Sequence, residues 1–341
     1  MRLAHFHTNT IFGSWTTLAI PETLRRMGHE VLEGPIPTDH QGRVIHRLGR
    51  REFQAAAASM PKWADLEKCD AILVSGPEYV LVWLNTLYGK QKWCGLKVPR
   101  VGFYNETSDR GDHNFHYEQL QDWSSIHFYP SLEDAQRFKG HYALGAVDTE
   151  MFKPGGGTGS NHGCARAGRT KKYDAGFVGS LYPKRLEFLA RLLPLLEDVD
   201  FRAGGVAVHD IGGERHRDWA RLLVENLQQL KIHVGLPSNN IRMTVSRPLE
   251  TMACGTFLLT YRTEDNVFRD GTHCRFYNPE DPKELAELIH YYLEHDGERE
   301  SIAQAGCQEV RQNFSLEKRL GEILEIVQQH AEPRRRCAPL R

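Results

Sequence analysis

Short apolar runs alternate with stretches that repeat apolar residues at helical spacing from the first residue onward. RLAHFHT, CDAILVSG, VPRVGFYNE and SSIHFYPS read as strands, with a helix through PETLRRMGHEV after the first and amphipathic or turn-rich segments between the others. Such alternation predicts a parallel sheet with crossover helices. Residues 154–170, PGGGTGSNHGCARAGRT, are rich in glycine and poor in apolar side chains, as a linker is. The pattern then restarts with the strand YDAGFVGS, the helix KRLEFLARLLPLLED, the strand VDFRAGG, the helix RDWARLLVENLQQL and the strand KIHVGL. In SRPLETMACGTFLLTY, Pro248 suits the first helical position and Gly255 the residue that ends a helix, so a helix of barely two turns precedes a buried strand. DPKELAELIHYYLEHD and LEKRLGEILEIVQQH repeat apolar residues at i, i+3, i+4 and i+7, and the closing AEPRRRCAPLR reads as a solvated tail.

Two such halves predict an α/β protein of two doubly wound, Rossmann-like domains facing each other across a cleft. The expected boundaries are 1–153 for the first domain, 154–172 for the linker and 173–318 for the second. A helix at 319–333 would pack back toward the first domain, ahead of a tail at 334–341. Ligands of open parallel sheets bind outside the carboxyl ends of the strands, which directs attention to the loops that follow them.

Composition narrows the class. The 341 residues are 40% hydrophobic and 26% charged, as in soluble globular proteins. Lys and Arg number 43 against 44 Asp and Glu, so the chain lacks the basic excess of a protein that binds nucleic acid through many phosphates; only a local basic groove would serve. Seven scattered cysteines without a CxxC pair argue for free thiols in a reducing compartment, against zinc and against a disulfide framework. No stretch approaches the roughly 20 apolar residues of a membrane span, and the amino terminus lacks a signal-peptide core, so a cytoplasmic protein is expected.

Several loops hold candidate chemistry. At the start of the short helix, unpaired backbone N–H groups and the positive dipole end suit a phosphate, Arg247 adds a forked cation, and Glu250 can accept from the two hydroxyls of a ribose. An isolated glutamate in a first turn also serves simply to complement the helix dipole. In GFVGSLYPKR, Gly179 and Ser180 end a strand and Lys184 and Arg185 open a helix, an arrangement suited to a diphosphate, though a Lys-Arg pair often only faces water. The NTIFGSW loop after the first strand offers Gly13 and Ser14 for close approach of a substrate to the backbone, or is a plain turn. FYNETSDRGDHNFH follows another strand and offers Glu106 and Asp109, nearest the strand end, as candidates for a general base. No metal site is expected. EDVD at 197–200 lies at the amino end of a strand, on the wrong side of the sheet, and His113 with His116 lacks a third ligand. His5 and His7 share one buried face of the first strand and read as packed.

The segment from KIHVGLPSNN through SRPLETMACGTFLLTYRTEDNVF to the helix after FYN resembles the donor-binding half of GT-B glycosyltransferases of the group 1 type, in particular their CgeB-like branch, over residues 231–320. The elements GSLYPKR and LGAVDTEMFKP, the latter similar to the hinge between the domains of those enzymes, point the same way. The resemblance implies a metal-free transfer of a sugar from a nucleotide-diphospho-sugar, UDP-sugar first, to a hydroxyl on a small molecule, glycan or protein. No cofactor beyond that co-substrate is implied. Glu250 would hold the ribose with Thr251 beside it in the donor site, and Arg247, Lys184 and Arg185 would hold the diphosphate, Arg185 with a catalytic share. Many such enzymes carry a second glutamate eight residues before the first; here that position is Arg242. A more distant resemblance to phage glucosyltransferases of hydroxymethylated DNA makes DNA an alternative acceptor, and a GT-B scaffold that binds a partner without catalysis is the alternative of another class.

Overall fold

The computed structural model describes residues 1–8, 15–37, 50–104, 117–143, 145–155, 171–204, 216–236, 246–265 and 267–336. The chain divides into two compact units. One is built mainly from residues 1–144 and the helix that begins at residue 316, the other from residues 145–207 and 217–315.

The first unit runs β1 (Arg2–Thr8), α1 (Trp15–Arg26), β2 (Glu30–Ile36), α2 (Arg50–Ser59), α3 (Trp63–Leu66), β3 (Ala71–Ser75), α4 (Pro77–Tyr88), α5 (Lys90–Cys94), β4 (Arg100–Phe103), β5 (Ile126–Tyr129), α6 (Leu132–Arg137) and β6 (His141–Tyr142). Its six strands are ordered β2-β1-β3-β4-β5-β6, all parallel. Because helices cover both faces, the inner strands are nearly continuous in apolar residues, and all of β3 is buried.

The helix expected from Pro21 onward starts earlier, at Trp15, and continues through Pro21. Burial of Ala19, Ile20 and Leu24 holds it together across a residue that cannot donate a backbone bond. The helix also ends sooner than expected. Gly28 turns the chain with φ +84, and Glu30–Ile36, partly read as helix, is instead the edge strand, the one place in a sheet where Pro35 is tolerated.

The second unit runs β7 (Tyr173–Val178), α7 (Pro183–Leu192), β8 (Phe201–Gly204), α8 (His216–Gln229), β9 (Leu230–Val234), α9 (Ser246–Ala253), β10 (Phe257–Thr260), β11 (Arg275–Phe276), α10 (Pro282–Glu294) and α11 (Asp296–Asn313). Its parallel strands are ordered β11-β10-β9-β7-β8. Phe177, Val234, Phe257, Leu259, Leu285 and Ile289 are among the core side chains, each contributing about 1.5–3 kcal/mol on burial. The last helix, α12 (Leu316–Arg336), belongs to the first unit, packs on α1 and runs into the stretch expected as a tail. Among the described residues no helix is long and apolar enough to cross a membrane.

Candidate functional site

In the second unit the chain passes from β7 to β8 on one side of β7 and then to β9 on the other. The crevice where a doubly wound sheet binds its ligand therefore lies at the carboxyl ends of β7 and β9. Arg185 and Arg247, two of the cations singled out in the sequence, are found there.

On the β7 side, Gly179 and Ser180 follow the strand and Arg185 lies in the first turn of α7. A carbonyl and two rings are among the groups that hold its guanidinium. Nη1 donates to the Ser180 carbonyl at 2.9 Å, and the cation lies over the rings of Tyr182 at 4.3 Å and Phe177 at 5.0 Å. Burial, with Arg247 nearby, pulls its pKa below the ordinary arginine value, and the group stays cationic at any physiological pH. Lys184 is exposed. Pro183 opens α7 and Tyr182 provides no side-chain cap, so the first turn has no side-chain acceptor from its N-cap residue.

On the β9 side, α9 carries Arg247, Glu250 and Thr251. Pro248 is its third residue, still within the first turn, where a missing N–H costs nothing. Gly255, at φ +70, closes the helix. Its N–H bonds the Met252 carbonyl and that of Thr256 bonds the Thr251 carbonyl, the paired ending that a left-handed glycine permits. Glu250 is 2% exposed and accepts from Arg247 Nη1 at 2.6 Å. Burial pushes its carboxyl up from the ordinary glutamate value while Arg247 draws it down. Thr251 is fully buried and its hydroxyl donates to the Arg247 carbonyl at 2.8 Å. Beyond β11, the Tyr277 hydroxyl donates to the Gly235 carbonyl at 2.8 Å, tying the end of β9 to the neighbouring strands.

The structure thus brings Arg185, Arg247, Glu250 and Thr251 to one end of one sheet, with Gly179 and Ser180 on the adjoining turn and Lys184 in the first turn of α7. Gly13, Ser14, Glu106, Asp109, His113, His116 and Arg242 lie outside the described residues.

Sequence reasoning passed over His233 of β9, a single histidine in an apolar strand. It is fully buried; Val178 N–H donates to its Nε2 at 3.3 Å, and its Nδ1 lies 3.0 Å from the Thr251 hydroxyl. Burial and the charges of Arg247 and Arg185 lower its pKa to about 3, so the ring is neutral. Phe177 and Tyr182, which hold Arg185, also carried no sequence signal beyond being aromatic residues near a strand end.

Residues 184–325, less than half of the chain, match a family described as glycosyl transferase-like. No curated protein matches the sequence. Solved structures match almost the whole chain. HepE from Anabaena, in complex with UDP-glucose, is 12% identical and aligns over 96% of this chain and 100% of its own, with a TM-score of 0.62. An alpha-glucosyltransferase in complex with UDP and a 13-mer DNA containing an HMU base is 11% identical, over 96% and 99%, with a TM-score of 0.64. Sucrose-phosphate synthase from Thermosynechococcus elongatus is 12% identical, over 98% and 100%, with a TM-score of 0.61.

Proposed function

This chain has the two-unit GT-B fold and carries a glycosyl transferase-like domain, and from that premise we propose that it is a glycosyltransferase moving a sugar from a nucleotide-diphospho-sugar to a hydroxyl acceptor. The observation that carries this reading is the gathering of Arg185, Arg247 and buried Glu250 at the β7–β9 crevice. UDP-sugars are the first choice of donor, supported by the UDP and UDP-glucose bound in the similar structures. The short-helix motif supports a place in the CgeB-like branch, and the free cysteines support a cytoplasmic setting.

The chemical demand of such a transfer is the negative charge that grows on the departing diphosphate. Arg185, fixed between two rings and a carbonyl, meets that charge without reorganising, and Arg247, Lys184 and the opening turns of α7 and α9 add to it. Glu250, paired with Arg247, accepts from the ribose hydroxyls. If the transfer inverts configuration, Glu106 or Asp109 deprotonates the acceptor. DNA is a second acceptor reading, supported by the likeness to the DNA-bound glucosyltransferase and opposed by a net charge of -1.

Thermal denaturation with UDP-, GDP-, TDP- and ADP-sugars tests the reading. A UDP-sugar at about a hundred times its Kd should stabilise the protein by roughly 2.7 kcal/mol, a rise of a few degrees. No shift with any donor would sink the proposal, and binding without release of UDP in the presence of acceptors would favour the inactive scaffold. A mobility-shift series with duplex DNA over rising salt decides the second acceptor reading.

A further inference from the structure

Parallel pairing between β7 and β9 ends at Gly176 and His233. Backbone N–H groups of β7 alternate between its two neighbours, and that of Gly179 goes to Gly204 of the β8 side. The Val178 N–H therefore points toward β9, beyond the last paired residue, and His233 Nε2 receives it. A nitrogen that accepts carries no proton, so in the neutral ring the proton is on Nδ1. Nδ1–H then donates to Thr251 Oγ1, which donates onward to the Arg247 carbonyl. Every donor and acceptor in this run has one role open to it.

The run links the two sides of the proposed donor site. At one end is the amide immediately before Gly179 and Ser180; at the other is the peptide of Arg247. The links are a planar ring and a β-branched side chain, both fully buried and with few rotamers to visit. The His233 ring also stacks on Phe177, with centroids 6.4 Å apart, and Phe177 in turn lies under Arg185.

We propose that His233 is a positioning residue that sets the span between the Val178–Ser180 turn and the α9 start, and through that span the preference of the site for a diphosphate over a monophosphate. A diphosphate must reach both sides at once, whereas a monophosphate needs only one. The inference rests on the donor site proposed above. A neutral ring is essential to it, because a protonated Nε2 would face the Val178 N–H donor to donor, and burial keeps that proton off.

Calorimetric titration of UDP and UMP into the full chain and its variants provides the test. His233→Phe keeps a planar aromatic ring and loses both bonds, Thr251→Val is isosteric and breaks the run from the other end, and Thr251→Ser keeps the hydroxyl. UDP binding should weaken about tenfold in the first two while UMP changes less than about twofold, with Thr251→Ser close to wild type and the double variant no worse than either single one. Equal weakening of UDP and UMP would mark a merely structural role and overturn the proposal, as would unchanged UDP binding. If His233→Phe does not fold, the Thr251 pair decides alone. Wild-type protein that binds UDP no tighter than UMP removes the donor reading and this inference with it. Wild-type preference for UDP that survives in every variant removes this inference only.

Discussion

His5 of β1 and His233 of β9 sit on comparable strand pairs in the two units, His5 on the first strand of its pair and His233 on the second. Each is fully buried beside the strand pair where the winding of its sheet reverses, β1 with β3 in the first unit and β7 with β9 in the second. Each reaches across that pair, His5 Nε2 to the Ser75 hydroxyl at 2.8 Å and His233 Nε2 to the Val178 amide. The resemblance ends at the second nitrogen. His233 passes its bond on to a helix that carries charged residues, while His5 Nδ1 is buried without a hydrogen-bond partner among the described residues and its ring stacks on His7. Two histidines in apolar strands are indistinguishable by type and burial; what separates them is what the far side of the ring touches.

The largest effect expected to sharpen this contrast comes from the second unit. Arg185→Ala should lower the rate of UDP release from UDP-glucose by roughly a hundredfold to a thousandfold, the usual loss for a preorganised charge aimed at a transition state. Arg25→Ala, which breaks the exposed pair with Glu33 in the first unit, should leave that rate within about twofold. Comparable losses in both variants would break the contrast. Next, Glu250→Ala should weaken UDP-glucose binding about tenfold to a hundredfold by calorimetry, the range of one or two charge-assisted hydrogen bonds.

A smaller effect lies in acid. Both histidines are held neutral in the folded state, His233 at about 3 and His5 well below its ordinary value, burial being the main cause in each. Unfolded histidine takes up a proton near pH 6.5, so stability is lost as the pH falls from there toward the folded value. Between about pH 7 and pH 5 His233 should account for roughly 2 kcal/mol of that loss, and His5 adds to it in the same direction. Urea unfolding at the two pH values should show His233→Phe losing about 2 kcal/mol less than wild type, and His5→Phe also losing less than wild type. The smallest effect is reserved for the double replacement His5→Phe with Ser75→Ala. Removing both partners of an isolated buried bond should change stability at neutral pH by less than about 1 kcal/mol and leave UDP binding alone.

The doubly wound architecture was legible because its inner strands are buried on both faces and therefore nearly continuous in apolar residues, as AILVS and FLLT are. β2 was not, because EVLEGPI is a half-exposed edge with two glutamates, a glycine and a proline. α1 was misjudged where packing overrode Pro21. In the site, charged residues beside glycines at strand ends advertise themselves, and Arg185, Arg247 and Glu250 could be picked out one by one. The pairing of Arg247 with Glu250, the rings that hold Arg185 and the role of His233 depend on which atoms meet across strands, and spacing along the chain carries no trace of that.

The return of α12 to the first unit has a consequence for biosynthesis. Leu320, Ile323, Leu324 and Val327 are buried in that unit, and Glu317 pairs with Arg26 of α1 at 3.4 Å. A ribosome that has made residue 144 must still make the whole second unit before this helix exists, an interval of about ten to thirty seconds at typical elongation rates. Through that interval the first unit lacks the helix that covers α1, while every element of the second unit is already present once residue 315 has emerged. The half of the chain made first is therefore the half completed last.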